Sequence, residues 1–251
     1  MPDALVQALQ NEGLIWLFAT VFIAGLVRGF AGFGSAMIIM PVASSVLSPI
    51  EALIFLIFAE LLGPLPNLPA AWRDGAPRDV AVLLVGAAVM MPLGVWCLSL
   101  MDPAAFGWVI SGAVATLLLL TASGWRYRGP LTTQIKVATG GLGGFMTGFA
   151  GMPGPPVIML YMASMLPVAV MRANFLLYLL AIDLMLLPVL WLGGLMVWPV
   201  ALLGLLAAIP NIIANVIGAR LFDPQAEQVF RLVAYIVIAA SAIVGLPVWK
   251  G

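Results

Sequence analysis

The chain is patterned as long apolar runs broken by short polar joints. Uncharged stretches extend between Asp79 and Asp102, Asp102 and Arg126, Lys136 and Arg172, and Asp183 and Arg220. A helix needs roughly 20 apolar residues to cross about 30 Å of hydrocarbon at about 1.5 Å per residue. A membrane β-barrel would instead alternate polar and apolar positions, and these runs are continuously apolar. The pattern predicts ten helical segments in two groups of five. The first group covers about 14–28, 35–48, 50–71, 79–101 and 104–123; the second covers about 136–149, 154–166, 168–191, 197–219 and 229–248.

Two joints are unlike the rest. Gly29–Gly34 (GFAGFG) and Gly148–Gly154 (GFAGMPG) hold too much glycine for a helix interior, and Pro153, Pro155 and Pro156 reinforce the second break. The arms that follow, 35–47 and 154–166, are 13 residues each, or about 20 Å of helix. That is short of a crossing, so each break is expected at depth in the membrane. Basic residues fall in the joints carrying Arg73 and Arg78, Arg126, Arg128 and Lys136, and Arg220 and Arg231. All three joints share one face only if each broken element enters and returns as a hairpin, which is what the bias of Lys and Arg toward the cytoplasm requires. Both termini then lie outside the cytoplasm.

Landmarks recur across the halves: Gly29 and Gly148 are 119 apart, while Gly86 and Gly204, and Pro92 and Pro210, are each 118 apart. With an odd number of crossings per half, the halves are inverted, as in secondary transporters with a midplane site between interrupted helices. The expected fold is an all-α polytopic membrane protein of two inverted repeats, each of about five helical segments and each beginning with a glycine-broken hairpin. Its divisions are a polar lead-in over 1–13, a first repeat over 14–123, a cytoplasmic linker over 124–135 and a second repeat over 136–248. Ser48-Pro49-Ile50-Glu51 and Asp102-Pro103 read as helix starts. Trp16, Trp72, Trp125, Trp191, Trp198 and Trp249 sit near segment ends, where aromatic belts form.

Composition agrees. The chain has 64% hydrophobic and 8% charged residues, ten basic against ten acidic, where soluble domains are about 45–50% apolar and about 25% charged. With no His and a single Cys, Cys97, an internal disulfide, a His/Cys metal centre and Ser-His-Asp or Cys-His catalysis are all excluded. No cofactor is implied, and no basic cluster points to nucleic acid. The N-terminal stretch has no Lys or Arg ahead of its apolar run and is expected to be a lead-in, not a cleaved signal. A membrane-embedded enzyme is disfavoured, because the carboxylates form no close pair in sequence.

The candidate chemistry centres on the breaks. Glycines let the backbone approach a ligand, and a short helix starting at Ser35 or Pro155 turns its positive end toward the break. The first candidate set is Arg28, Gly29, Gly32, Phe33, Gly34 and Ser35; the second is Gly148, Gly151, Met152, Gly154, Arg172 and Asn174. Two such breaks would cradle an anion; close helix packing through small residues is the competing explanation. Arg28 and Arg172 either bind that anion or snorkel to the interface. Glu60 and Asp183 lie within apolar segments, where ionisable groups are functional or paired by default. They either carry a coupling proton or pair with Arg28 or Arg172. Asn67, Asn211, Asn215, Thr147 and Tyr178 line a path or bond across helices.

Gly29-Phe30-Ala31-Gly32-Phe33-Gly34 followed by Pro41, with its echo Gly148-Phe149-Ala150-Gly151 followed by Gly154-Pro155-Pro156, resembles the duplicated motif of the TauE/SafE family of sulfite exporters. The resemblance covers nearly the whole chain and implies a bacterial inner-membrane permease for sulfite, sulfonates or related sulfur-containing anions, often exported. The second break departs from the first by the extra Pro153, so the cradle is expected to be asymmetric. The expected function is secondary export of such anions by alternating access; a passive anion channel and an importer of a related anion are the alternatives. The expected partners are a small anion and bilayer lipid, with a coupling proton and further copies of the chain left open.

Overall fold

The computed structural model describes residues 13–123, 131–162, 164 and 166–249. Residues 1–12 of the lead-in, Trp125 and the basic residues Arg126 and Arg128 lie outside these. The described residues form eleven α-helices: α1 (Leu14–Ala31), α2 (Ser35–Val46), α3 (Pro49–Glu60), α4 (Leu68–Asp74), α5 (Pro77–Ser99), α6 (Pro103–Ala122), α7 (Thr133–Ala150), α8 (Gly154–Met162), α9 (Val168–Leu192), α10 (Trp198–Leu221) and α11 (Glu227–Val244). The all-helical, membrane-spanning class is as the apolar pattern predicts. Among the described residues five helices are long and apolar enough to span, six if α3 and the segment Leu65–Asp74 are taken as one broken span.

Helix starts follow the local chemistry. At α3, Ser48 N–H and Oγ–H both donate to Glu51 Oε2 (3.0 and 2.7 Å), closing the first turn. At α6, Asp102 Oδ1 accepts from the amides of Ala104 and Ala105. Thr132 does the same for Ile135 at the head of α7. One boundary differs from expectation. The segment expected over 50–71 stops as an α-helix at Glu60, and a short 3₁₀ turn, Leu65–Asn67, precedes α4. Pro64 and Pro66, two residues apart, together remove two helix hydrogen bonds, which favours a break here, although an apolar window can run through them. Glu60 is therefore at a helix end, not in mid-segment.

The helices form two compact units that interleave the two halves of the sequence. One holds α1, α2, α3, α6, α10 and α11; the other holds α4, α5, α7, α8 and α9. In the first unit, α10 packs along α1 and α3, and α11 packs on α2 and α6. In the second, α5 and α7 make the most extensive helix contact, and α9 packs across α4, α5, α7 and α8.

Each unit is built on a ladder of small residues. A Cβ on Gly140, Gly144 or Gly148 of α7 would strike the backbone of Leu83, Ala87 and Met91 of α5, so the helices touch main chain to main chain. Contact positions rise together on both helices, which makes α5 and α7 parallel. Likewise Gly25 and Gly29 of α1 rest on the backbone of Asn211 and Asn215 of α10, and Gly218 rests on Leu26. The α1 and α7 ladders match at the 119-residue spacing of Gly29 and Gly148. Their partners match at 124 (215 − 91), not at the 118 that separates Gly86 from Gly204. Gly86 meets Val137 of α7 while Gly204 meets Phe55 of α3, so those two glycines occupy different packing roles.

Both broken elements return on themselves. Gly13, at the head of α1, touches Val46 at the tail of α2. In the other unit Leu160 and Tyr161, at the end of α8, face the same cavity as Leu131 and Lys136 at the head of α7. Parallel packing of α5 and α7, with Lys136 Nζ donating to Asp79 Oδ1 at 2.9 Å, puts the basic residues at the heads of these two helices on one side of their unit. Trp16, Trp72, Trp191 and Trp198 are all more than half exposed, as belt residues are.

Candidate functional site

At the first break, Gly32 ends α1 at φ 78° with its amide bonded to Arg28 O, and Gly34 opens α2 at φ 95°. Both angles belong to the left-handed region where glycine alone is unstrained. A Cβ on Gly32 would meet nothing within 4 Å, whereas one on Gly34 would touch Ile238 of α11. Gly32 therefore borders open space. The first amides of α2 have no acceptor within their own helix. Phe30 and Phe33 face α11 through ring contacts with Phe230 (5.3 Å) and Tyr235 (6.3 Å).

Arg28 precedes this break. Its Nη1 lies 3.2 Å from Glu60 Oε2, and the two side chains are only 19% and 15% exposed. The structure thus brings the cation of the first candidate set to one of the two candidate coupling carboxylates. Glu60 Oε1 is buried with no hydrogen-bond partner among the described residues. Next to the pair, Asn211 Nδ2 donates to Ala59 O at 2.9 Å across α3 and α10. Gly29 is different: its face is filled by Asn215 and Ala219, so it serves packing and not the open break.

At the second break the same backbone device carries no charge. Gly151 has φ 66°, its amide bonds back to Thr147 O, and the Met152 amide bonds to Met146 O, a left-handed cap that closes the last turn of α7. Gly151, Met152 and Pro153 are buried. Gly154 borders the ring of Phe175, and Gly148 is seated against Met91 and Val95. Arg172 is exposed. Asn174 is fully buried and its Oδ1 accepts from the Ala76 amide at 2.6 Å, fixing α9 to the joint before α5. Asp183 is half-buried within α9.

Sequence reasoning missed the second polar group of this unit. Asp79 and Lys136 pair at the heads of α5 and α7, and Tyr161 and Asn174 lie close by. Lys136 had counted only as a marker of sidedness, and a tyrosine in a short apolar arm was the one available signal.

The described residues thus make a multi-helix membrane protein with two glycine-broken elements and a shielded Arg–Glu pair at one of them. The chain belongs to the sulfite exporter TauE/SafE family, which matches residues 17–244. No match was found among curated proteins or solved structures.

Proposed function

We propose that the chain is a secondary transporter exporting small sulfur-containing anions, sulfite or organosulfonates, across the bacterial inner membrane by alternating access. The observation that carries the reading is the Arg28–Glu60 pair, at a break whose Gly32 borders open space. A guanidinium offers five donors. Glu60 engages one edge of Arg28, so the remaining donors, with the first amides of α2, suit the oxygens of a small oxyanion. The second hairpin, with Gly151, Met152, Gly154, Arg172 and Asn174, forms the counterpart in the alternating cycle.

Glu60 supplies a coupling step in this scheme. It competes with the anion for Arg28, and its Oε1, which has no partner among the described residues, is a place for a proton. Protonation loosens the pair and frees Arg28 for the anion; loss of the proton restores the pair and expels the anion. A dianion leaving with one proton moves one net negative charge outward, favoured by about 2.3 kcal/mol per 100 mV of inside-negative potential. Asp183 is the second candidate carrier. The shared sidedness of the α5 and α7 heads agrees with a cytoplasmic basic face, and periplasmic termini follow if both broken elements are hairpins.

The test is sulfite flux into proteoliposomes. Wild-type flux that Arg28→Ala and Gly32→Leu both abolish, in protein that remains folded, supports the assignment. Full flux in both variants sinks the site, and wild-type flux equal to that of empty liposomes removes sulfite as substrate.

A further inference from the structure

The backbone of the second break has few donors to offer a ligand. The Gly151 amide bonds to Thr147 O and the Met152 amide to Met146 O. Positions 153, 155 and 156 are prolines and carry no amide hydrogen. From Gly151 to Pro156, the Gly154 amide at the head of α8 is what remains. The polar side chains first expected here add little. Arg172 is exposed, and Asn174 holds the Ala76 amide and pairs with Tyr161.

Tyr178 of α9 supplies what the backbone lacks. It is completely buried, and its hydroxyl has no hydrogen-bond partner among the described residues. A Cβ on Gly143 would meet both that hydroxyl and the carbonyl oxygen of Pro153, so the ring crosses α7 with its tip beside the break. Gly143 admits it, because any side chain there would take its place. A tyrosine hydroxyl keeps its proton at neutral pH and can donate it. Buried donors are almost always satisfied by protein, water or a ligand. Asp183, whose charge also acts on Tyr178, lies about 140° round α9 from it.

We propose that Tyr178 is the anion-contacting side chain of the second break: its hydroxyl, with the Gly154 amide, donates to the oxygens of the transported oxyanion. This rests on the anion-transporter reading and narrows the contacts of the second hairpin to two neutral donors, where the first break has Arg28. Gly151, Met152 and Pro153 are buried and Gly154 is half-buried, so this conformation keeps the hydroxyl shut away and an opening at Gly154 exposes it.

The experiment is initial-rate sulfite flux in proteoliposomes of the full chain, with the thermal midpoint of each protein measured beside it. Tyr178→Phe keeps the ring and deletes the oxygen. It should lower kcat/KM about tenfold, as loss of one hydrogen bond to a charged group does. Its midpoint should be unchanged or raised, because a buried hydroxyl without a protein partner is removed. Gly143→Ala combined with Tyr178→Phe refills the vacated space without restoring a donor, so flux should stay low. Wild-type flux in Tyr178→Phe, or recovery of flux in the double variant, overturns the proposal. A midpoint that falls together with flux overturns it as well, since the hydroxyl would then be a fold contact to Pro153 O. Arg28→Ala is read in the same assay. Loss of flux there, with full flux in Tyr178→Phe, removes this contact alone; a wild type that moves no sulfite removes the sulfite reading and this contact with it.

Discussion

The two glycine-broken hairpins use the same backbone construction and carry opposite polar equipment. Each starts with a helix that rests on its neighbour through glycines four residues apart, and each ends that helix on a left-handed glycine. The first hairpin has a shielded ion pair at its break and an open face at Gly32. The second has a buried, uncharged break, and its polar residues gather at the other end, around Lys136, Asp79 and Tyr161. The shared part is what packing demands in a membrane, where close backbone approach replaces the hydrophobic drive. The differing part is what a ligand would read.

The largest effect is expected in the shared part. A Cβ at Gly140 would fall within the van der Waals radius of the Leu83 backbone, which cannot move as a side chain tip does. Gly140→Ala should therefore cost about 3 kcal/mol or more, the upper range for overpacking, and Gly29→Ala should behave alike. A Cβ at Gly112 of α6 meets nothing within 4 Å, so Gly112→Ala should leave the thermal midpoint unchanged or raised. Loss of fold in all three would show that the ladder is no more sensitive than any other glycine position.

The ion pairs come next and sharpen the contrast. Arg28→Gln leaves Glu60 largely buried with no cation, a change that costs about 3–5 kcal/mol at fully buried sites and somewhat less here. Arg28→Met combined with Glu60→Leu should restore the midpoint and still give no anion flux. Recovery of flux in the double variant would make the pair structural. Lys136→Gln should cost only about 1 kcal/mol, because Asp79 is 39% exposed and solvent screens the charge it leaves behind.

The shared construction was legible in the sequence and the difference was not. Glycine and proline spacing marked both breaks and their 119-residue repeat, because only glycine tolerates the left-handed caps at Gly32 and Gly151. The hairpin sense followed from where the basic joints must lie. Hydropathy, however, carries no register. It merged α3 with α4 across Pro64 and Pro66 and put Glu60 in mid-segment, and landmark spacing matched Gly86 to Gly204 although they face different neighbours. Pairings such as Arg28 with Glu60, or Lys136 with Asp79, join residues 32 and 57 positions apart. A single chain read alone left Arg28 open between anion binding and snorkelling, and Glu60 open between proton carriage and pairing.

The smallest effect should come from the open face of the first break. Gly32→Ala adds a Cβ into free space, so its cost is only the left-handed backbone, about 1–2 kcal/mol for a non-glycine residue. Gly32→Leu pays the same backbone cost and adds bulk to the open space at the break. The two variants should therefore share a thermal midpoint within about 0.5 kcal/mol, while anion flux persists in Gly32→Ala and stops in Gly32→Leu. That separation isolates the open space at the break from the stability of the hairpin. Equal flux in both would mean that the anion does not pass Gly32, and the difference between the two hairpins would then concern stability alone.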